Sequence, residues 1–180
     1  RGRTVREAAA VAGIVLPQLG YQPQVNSPAA SWLRLCVVEI AGARAPAASC
    51  SHPASEAMVV RTNTESIVEM RRMILELLLS DHPHDCLTCE KVGKCGLQKY
   101  AYELGVKSPY EATVESRPAA DGPAVMYDSS KCILCGRCVE VCQNVQLTGA
   151  IDYSGRGFDT RISLPPGQSR NESVCVECGN

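Results

Sequence analysis

The sequence predicts an α+β chain made of several small units, with metal ligation replacing part of a modest core. Three observations lead there. Nine of the eleven cysteines among 180 residues fall into tight groups. One Trp and one Phe stand beside six Tyr, so large apolar anchors are few and bound metal must supply some of the missing stabilisation. Short β-branched runs alternate with stretches of helical period.

Gly2 to Ala9 reads as a helix start, with Thr4 at the N-cap and Glu7 three residues on as a capping box. Residues 5–15 continue as a short helix. Trp32 to Ile40 is rich in Val, Leu and Ile and predicts a strand, turned by Ala41-Gly42. Met58 to Arg61 is a second strand. Ser66 to Ser80 is the clearest helix: Ile67, Met70, Ile74 and Leu77/Leu78 share one face, and Glu69, Arg71 and Arg72 read as solvated. His82-Pro83 ends it. Leu97 to Leu104 predicts another short helix. Residues 116–123, with Pro, Ala, Asp and Gly, read as a linker. Ala124 to Tyr127 predicts a strand, Arg137 to Val145 a helix, and Ala150–Tyr153 with Thr160–Ile162 a hairpin. Gly155-Arg156-Gly157 is its turn, not a phosphate loop, because it lacks the strand-to-helix context and the Lys.

Net charge is −1, from 18 basic and 19 acidic residues, so nothing favours nucleic acid or anionic membrane as a partner. The run Ala8–Leu16 behind Arg1, Arg3 and Arg6 imitates a signal peptide, but Glu7 and Pro17-Gln18 break the pattern. No stretch reaches the roughly 18 apolar residues of a spanning helix. An odd number of cysteines in Cys-x2-Cys pairs fits a disulfide framework poorly and a reducing, cytoplasmic setting well. No Ser/His/Asp set, carboxylate pair or phosphate-binding motif stands out, so no catalytic residue is assigned.

Cys132-x2-Cys135-x2-Cys138-x3-Cys142 is the most specific spacing. Three thiolates wrap one cubane cluster and the fourth serves the other cluster of a pair; a zinc ribbon needs no third Cys at this spacing. Gly136 lets the backbone approach the sulfides. Gln143 stands where a Pro usually follows, which removes no ligand. Cys175-x2-Cys178-Gly179 matches the first half of a second such loop, with the next thiolate expected at position 181. The sequence thus reads as a fragment cut inside a motif. His82-x3-Cys86-x2-Cys89-x5-Cys95 offers four ligands within 14 residues. On spacing alone it is open between a cluster and a Cys3His zinc site, and His82 could instead cap the preceding helix. His84 is a second candidate for the imidazole.

The run His82-Pro83-x-Asp85-Cys86-x2-Cys89-x3-Gly93-x-Cys95-x-Leu97-Gln98 resembles the iron–sulfur region shared by the G-type subunit of complex I, [FeFe] hydrogenases and the large subunits of NAD(P)-linked formate dehydrogenases. Asp85–Lys91 and Ala101–Lys107 are most similar to the formate dehydrogenase and NAD-linked hydrogenase branches. The resemblance implies a [4Fe-4S] cluster on His82, Cys86, Cys89 and Cys95, a second on Cys132, Cys135 and Cys138, and a third involving Cys142, Cys175 and Cys178. Residues 1–65 resemble the family's β-grasp, plant-type [2Fe-2S] domain through the opening helix, Val38-Glu39-Ile40, His52-Pro53 and Met58-Val59-Val60. Four thiolates are implied there, at positions where this sequence has Gly20, Leu33, Cys36 and Cys50. Neither Gly nor Leu is a ligand, and His52 would fill only one vacancy. The expectation is a degenerate β-grasp domain that keeps its fold and has lost its [2Fe-2S] cluster, leaving Cys36 and Cys50 as core thiols.

The expected organisation is therefore residues 1–65 as that domain, 66–115 as a small His/Cys3 cluster domain, 116–123 as linker, and 124–180 as an incomplete dicluster 4Fe-4S ferredoxin domain. The resemblance implies an electron relay carrying up to three [4Fe-4S] clusters. Its expected partners are flavin/NAD(P)-binding and iron–sulfur subunits, and polypeptide beyond residue 180 carrying a catalytic centre. Two alternatives stand beside it: the iron–sulfur segment of a glutamate-synthase-like flavoprotein transhydrogenase, and a zinc-stabilised binding module without redox function.

Overall fold

The computed structural model describes residues 2–20, 32–107, 120–121, 126–169 and 172–179. In the first part β1 (Val37–Ile40) is the centre of a three-stranded antiparallel sheet. On one side lies β2 (Ala47–Ala48), with Val37 opposite Ala48; on the other lies β3 (Val60–Arg61), with Ile40 opposite Val60. Helix α1 (Val5–Val11) starts on the predicted capping box: Thr4 Oγ1 accepts from the Glu7 amide at 3.2 Å, and Glu7 Oε2 accepts from the Thr4 amide at 2.7 Å. Amides of Val5 and Arg6 donate to the carbonyls of His52 and Ser49, both at 2.9 Å, which docks the helix beside β2.

Helix α2 (Glu65–Ser80) begins at Thr64, whose hydroxyl accepts from the Ile67 amide, and packs across β1. Helix α3 (Gly96–Glu103) packs on α2. Five leucines, Leu19, Leu33, Leu35, Leu75 and Leu97, form the core between them. A second core of Val5, Leu16 and Val38 lies under α1. The remaining part has two hairpins around helix α4 (Arg137–Asn144): β4 (Ala120–Asp121) with β5 (Met126–Tyr127), and β6 (Asp152–Ser154) with β7 (Arg161–Ser163).

Several expectations need correction. The strand from Trp32 shrinks to Val37–Ile40 because Arg34 takes φ +53, which breaks extension. Helix α1 stops at Val11, where Ala12 caps it and Gly13 turns at φ +76. Ala57 at φ +58 delays β3 to Val60. Ala120–Asp121, inside the expected linker, pairs with Met126–Tyr127; the rest of 116–123 lies outside the described residues, as do Ala124 and Val125. The second hairpin moves toward the C-terminus, because Thr160 closes a 3-10 turn over Gly157–Asp159. Arg71 is the main error. It is 3% exposed, set between Ile67 and Leu75 on the sheet-facing stripe of α2, whereas Leu77 is 56% exposed.

Candidate metal centres

The first ligand loop starts where α2 stops. The His82 amide bonds back to the Leu79 carbonyl at 3.3 Å, leaving its imidazole half-buried at the helix end. Nδ1 of that ring is buried with no hydrogen-bond partner, and burial, opposed in part by Asp85, holds its pKa below the ordinary histidine value. A neutral imidazole with an unclaimed nitrogen is what a metal takes up. The capping role belongs to His84, whose Nε2 lies 3.1 Å from the Leu79 carbonyl and donates to it. The chain then coils: Cys89 donates its amide to Asp85, and Val92 to Cys89. Gly93 turns at φ +72. Cys95 becomes the N-cap of α3, its Sγ accepting from the Gln98 amide at 3.5 Å.

The second loop carries Cys132, Cys135 and Cys138, all half-buried. Leu134 takes φ +53 and Gly136 φ +76, and the Leu134 amide points at Cys132 Sγ at 3.4 Å. Such alternating backbone turns amide N–H groups inward and makes an anion-binding concavity. Burial, then the neighbouring Cys135 and Cys132, pushes the Cys138 thiol up to about 11. Tyr127 lies against Cys132, and burial followed by that thiol pushes its hydroxyl pKa up. Tyr153 faces the same group, raised to about 12 by burial and then by Cys135 and its neighbours. A Cβ at Gly136 would collide with the Tyr153 hydroxyl. The sulfurs that hold the Cys138 thiol protonated would share metal instead if a cluster bound the loop.

Cys142 is 8% exposed and turns toward a different partner set. Its Sγ accepts from the Ala150 amide at 3.1 Å and lies 3.2 Å from Thr148 Oγ1. Burial alone would raise its pKa, but the Thr148 hydroxyl and the amides of Ile151, Ala150 and Gly149 outweigh that and lower it. The third loop repeats the backbone of the second. Glu177 and Gly179 take φ +48 and +71 around Cys178, as Leu134 and Gly136 do around Cys135. Cys175 donates its amide to Ser173 Oγ, and Cys178 is exposed.

The loops meet. Lys131 and Asp85 pair at 3.2 Å, and Lys131 also acts on Cys89. Cys95, Ile133 and Cys135 all pack on the five-leucine core. Arg137, between Cys135 and Cys138, donates to the Leu19 carbonyl at 3.0 Å. Trp32 and Tyr153 make an edge-to-face contact at 6.2 Å. Spacing could not reveal these contacts; for Arg71 alone a signal existed, its i+4 step from Ile67 to Leu75.

The four positions where the resemblance implies [2Fe-2S] ligands also come together. Gly20, Leu33, Cys36 and Cys50 line one cavity of about 10 Å³, and His52 lies outside that lining. The space admits about one water molecule. The Leu33 side chain belongs to the leucine core, and Cys36 and Cys50 pack with Ala48. The thiol groups, the unclaimed nitrogen of His82 and the glycine at 136 fit clusters at the three ligand loops. The collapsed pocket at Leu33 does not fit one. Among the described residues, no three His, Cys, Asp or Glu side chains converge on a single ion.

Residues 1–65 match the family model of a 2Fe-2S iron-sulfur cluster binding domain, 71–109 the NADH-ubiquinone oxidoreductase-G iron-sulfur binding region, and 125–147 a 4Fe-4S binding domain. Neither the zinc module nor the transhydrogenase finds support among the comparisons. The chain is 40% identical to the NADP-reducing hydrogenase subunit HndD of Solidesulfovibrio fructosivorans, over 99% of this chain and 31% of that protein. It is 35% identical to the NADH-ubiquinone oxidoreductase 75 kDa subunit of Reclinomonas americana, over 91% of this chain and 24% of the relative. The chain thus spans between about a quarter and a third of the length of these curated relatives. The crystal structure of a NAD+-reducing [NiFe]-hydrogenase in the H2-reduced state superposes with a TM-score of 0.85 at 34% identity, covering 97% of this chain and 74% of that one. With that coverage, and with the ligand loops in place, the chain belongs to the family that unites the G-type iron–sulfur region of NADH-ubiquinone oxidoreductase with the NAD(P)-reducing hydrogenase subunits.

Proposed function

We propose that this chain is the iron–sulfur relay of an NAD(P)-linked oxidoreductase of the hydrogenase or complex I type. It would connect a flavin- and NAD(P)-binding partner with a catalytic centre elsewhere in the polypeptide or on another subunit. A formate-oxidising centre is one such terminus. Among the described residues no helix is long and apolar enough to cross a membrane, which is compatible with the cytoplasmic setting inferred from the cysteines. The units of the relay are 1–65, 66–115 and 124–180, with the connection between the last two partly paired as β4.

The ligands are His82, Cys86, Cys89 and Cys95 for the first [4Fe-4S] cluster and Cys132, Cys135 and Cys138 for the second. Cys142, Cys175 and Cys178 contribute to a third. A bound cluster supplies one-electron exchange. The chain holds the ligand loops at fixed separation, packs leucine against Cys95 and Cys135, and sets the surrounding charge. The observation that carries this reading is the common packing of Cys95 and Cys135 on the Leu19, Leu33, Leu35, Leu75 and Leu97 core. Ligands of two loops on one rigid apolar body keep the centres at constant distance.

In this reading the β-grasp unit has lost its [2Fe-2S] cluster, so electrons enter through the His82 cluster or from a cluster on a partner. The test is His82→Ala in the assembled oxidoreductase. Reduction of the chain by NAD(P)H should slow severely while the second cluster still forms; an unchanged rate contradicts the route.

A further inference from the structure

The vacated site retains two thiols in contact. Cys36 Sγ lies 3.2 Å from Cys50 Sγ, and each residue is 3% exposed. A disulfide bond is about 2.05 Å long, so the sulfurs need to approach by about 1.2 Å, within reach of side-chain rotation. The backbone on both sides is pinned. Ser49 donates its amide and its hydroxyl to the Cys36 carbonyl at 3.2 and 2.7 Å, and Arg71 donates to the Val37 carbonyl at 2.8 Å. The pair therefore stays in register at the end of the β1–β2 ladder.

Arg71 distinguishes the two sulfurs. Its guanidinium is buried, its Nε has no hydrogen-bond partner, and its favourable charge interaction is with Cys36. The thiolate is the form that reacts with oxidants, and the charge interaction with Arg71 singles out Cys36 as the sulfur to react first. The cavity of about 10 Å³ that Cys36 and Cys50 line with Gly20 and Leu33 gives a small oxidant an approach to both sulfurs.

We propose that Cys36 and Cys50 form a reversible dithiol–disulfide couple, oxidised by hydrogen peroxide, in the place of the family's [2Fe-2S] cluster. This rests on the reading that the cluster is lost. The Cys36 thiolate attacks one peroxide oxygen, the O–O bond breaks, and the departing hydroxide takes a proton to leave as water. The Cys36 sulfenic acid that remains is attacked by Cys50; the S–O bond breaks, the S–S bond forms, and a second water leaves. Two thiols and one hydrogen peroxide give one disulfide and two waters, with two electrons passing from the sulfurs to the peroxide. A dithiol reductant returns both thiols by exchange.

The test uses the full chain with its clusters reconstituted. The protein is reduced, exposed to hydrogen peroxide, unfolded in N-ethylmaleimide and digested with trypsin. Cys36 falls in the peptide 35–44 and Cys50 in 45–61, each with a single cysteine. The expected product is those two peptides joined, separated again by dithiothreitol, and missing in both Cys36→Ser and Cys50→Ala. Recovery of both peptides as separate maleimide adducts overturns the couple. The same preparation is inspected beforehand by electron paramagnetic resonance. A [2Fe-2S] signal that disappears in Cys36→Ser overturns the reading of a lost cluster instead, so the two failures are distinguishable.

Discussion

Lys131 Nζ stands 3.2 Å from Asp85 Oδ2 and joins the two principal ligand loops across their faces. Both side chains are partly exposed, so the pair contributes little to stability. Its importance is where it places charge. The hydrogen bond to Asp85 raises the Lys131 pKa, and the ammonium acts on Cys89 while preceding Cys132 by one residue. A fixed positive charge between two anionic centres favours their reduced states.

Replacing Lys131 by Met should therefore lower the potential of the His82 cluster with little change in thermal stability. Potentiometric titration followed by electron paramagnetic resonance reads this directly. The difference from wild type should narrow as salt is added, because the charge is solvent-exposed. An unchanged potential at low salt contradicts this role.

His82 makes a pH-dependent prediction for the metal-free chain. Burial depresses its folded-state pKa below 6.5. The folded form thus binds fewer protons than the unfolded form as pH falls below that value, and stability falls with it. The contribution is complete above the unfolded pKa and is lost as pH drops through the folded one. Chemical denaturation between about pH 5 and 8 should show this slope, and His82→Gln should flatten it. In the loaded chain, His82→Cys should keep the cluster and lower its potential, since a thiolate replaces a neutral ligand.

Gly136 is constrained twice, by φ +76 and by the Tyr153 hydroxyl. Gly136→Ala should cost about 1–2 kcal/mol from the left-handed backbone, with a further cost from the collision. It should also reduce iron occupancy at Cys132, Cys135 and Cys138. Adding Tyr153→Phe removes the colliding oxygen and should restore part of the loss. Iron content and urea unfolding of the single and double variants give the answer; no recovery in the double variant would exclude the collision as a cause.

Leu33 fills space in the leucine core where the family resemblance implies a thiolate. Leu33→Ala should destabilise the chain by about 2–5 kcal/mol. The double change Gly20→Cys and Leu33→Cys supplies four thiolates around one cavity and should regain two irons as a [2Fe-2S] cluster. Iron analysis with visible absorption decides whether the site is a vacated one or a pocket of another origin.

Helix starts were the legible parts of this sequence, and Thr4 with Glu7 declared the first helix. The spacing from Cys132 to Cys142 points to a cluster loop, whereas that from His82 to Cys95 leaves a cluster and a zinc site both open until the family resemblance is added. Strands were legible only as regions. Each is held by two to four ladder residues, and single left-handed residues such as Arg34 and Ala57 decided where they began. Ala120–Asp121 has no strand signal and pairs because Met126–Tyr127 folds back on it. The charge of Arg71 suggests a solvated face, but its position on the helix decides otherwise. Its stripe with Ile67 and Leu75 placed it inside, with its guanidinium on the Val37 carbonyl. The contacts that join the loops, such as Arg137 to Leu19, connect residues far apart in the chain, so no local pattern announces them.

The proposed relay carries cubane clusters, and its β-grasp unit carries none. Electron paramagnetic resonance and Mössbauer spectra of the dithionite-reduced, iron-reconstituted chain test it most directly. Fast-relaxing [4Fe-4S] signals should appear, one of which is lost in His82→Ala, with no slow-relaxing signal surviving at liquid-nitrogen temperature. A [2Fe-2S] signal that survives there and vanishes in Cys36→Ser would contradict it.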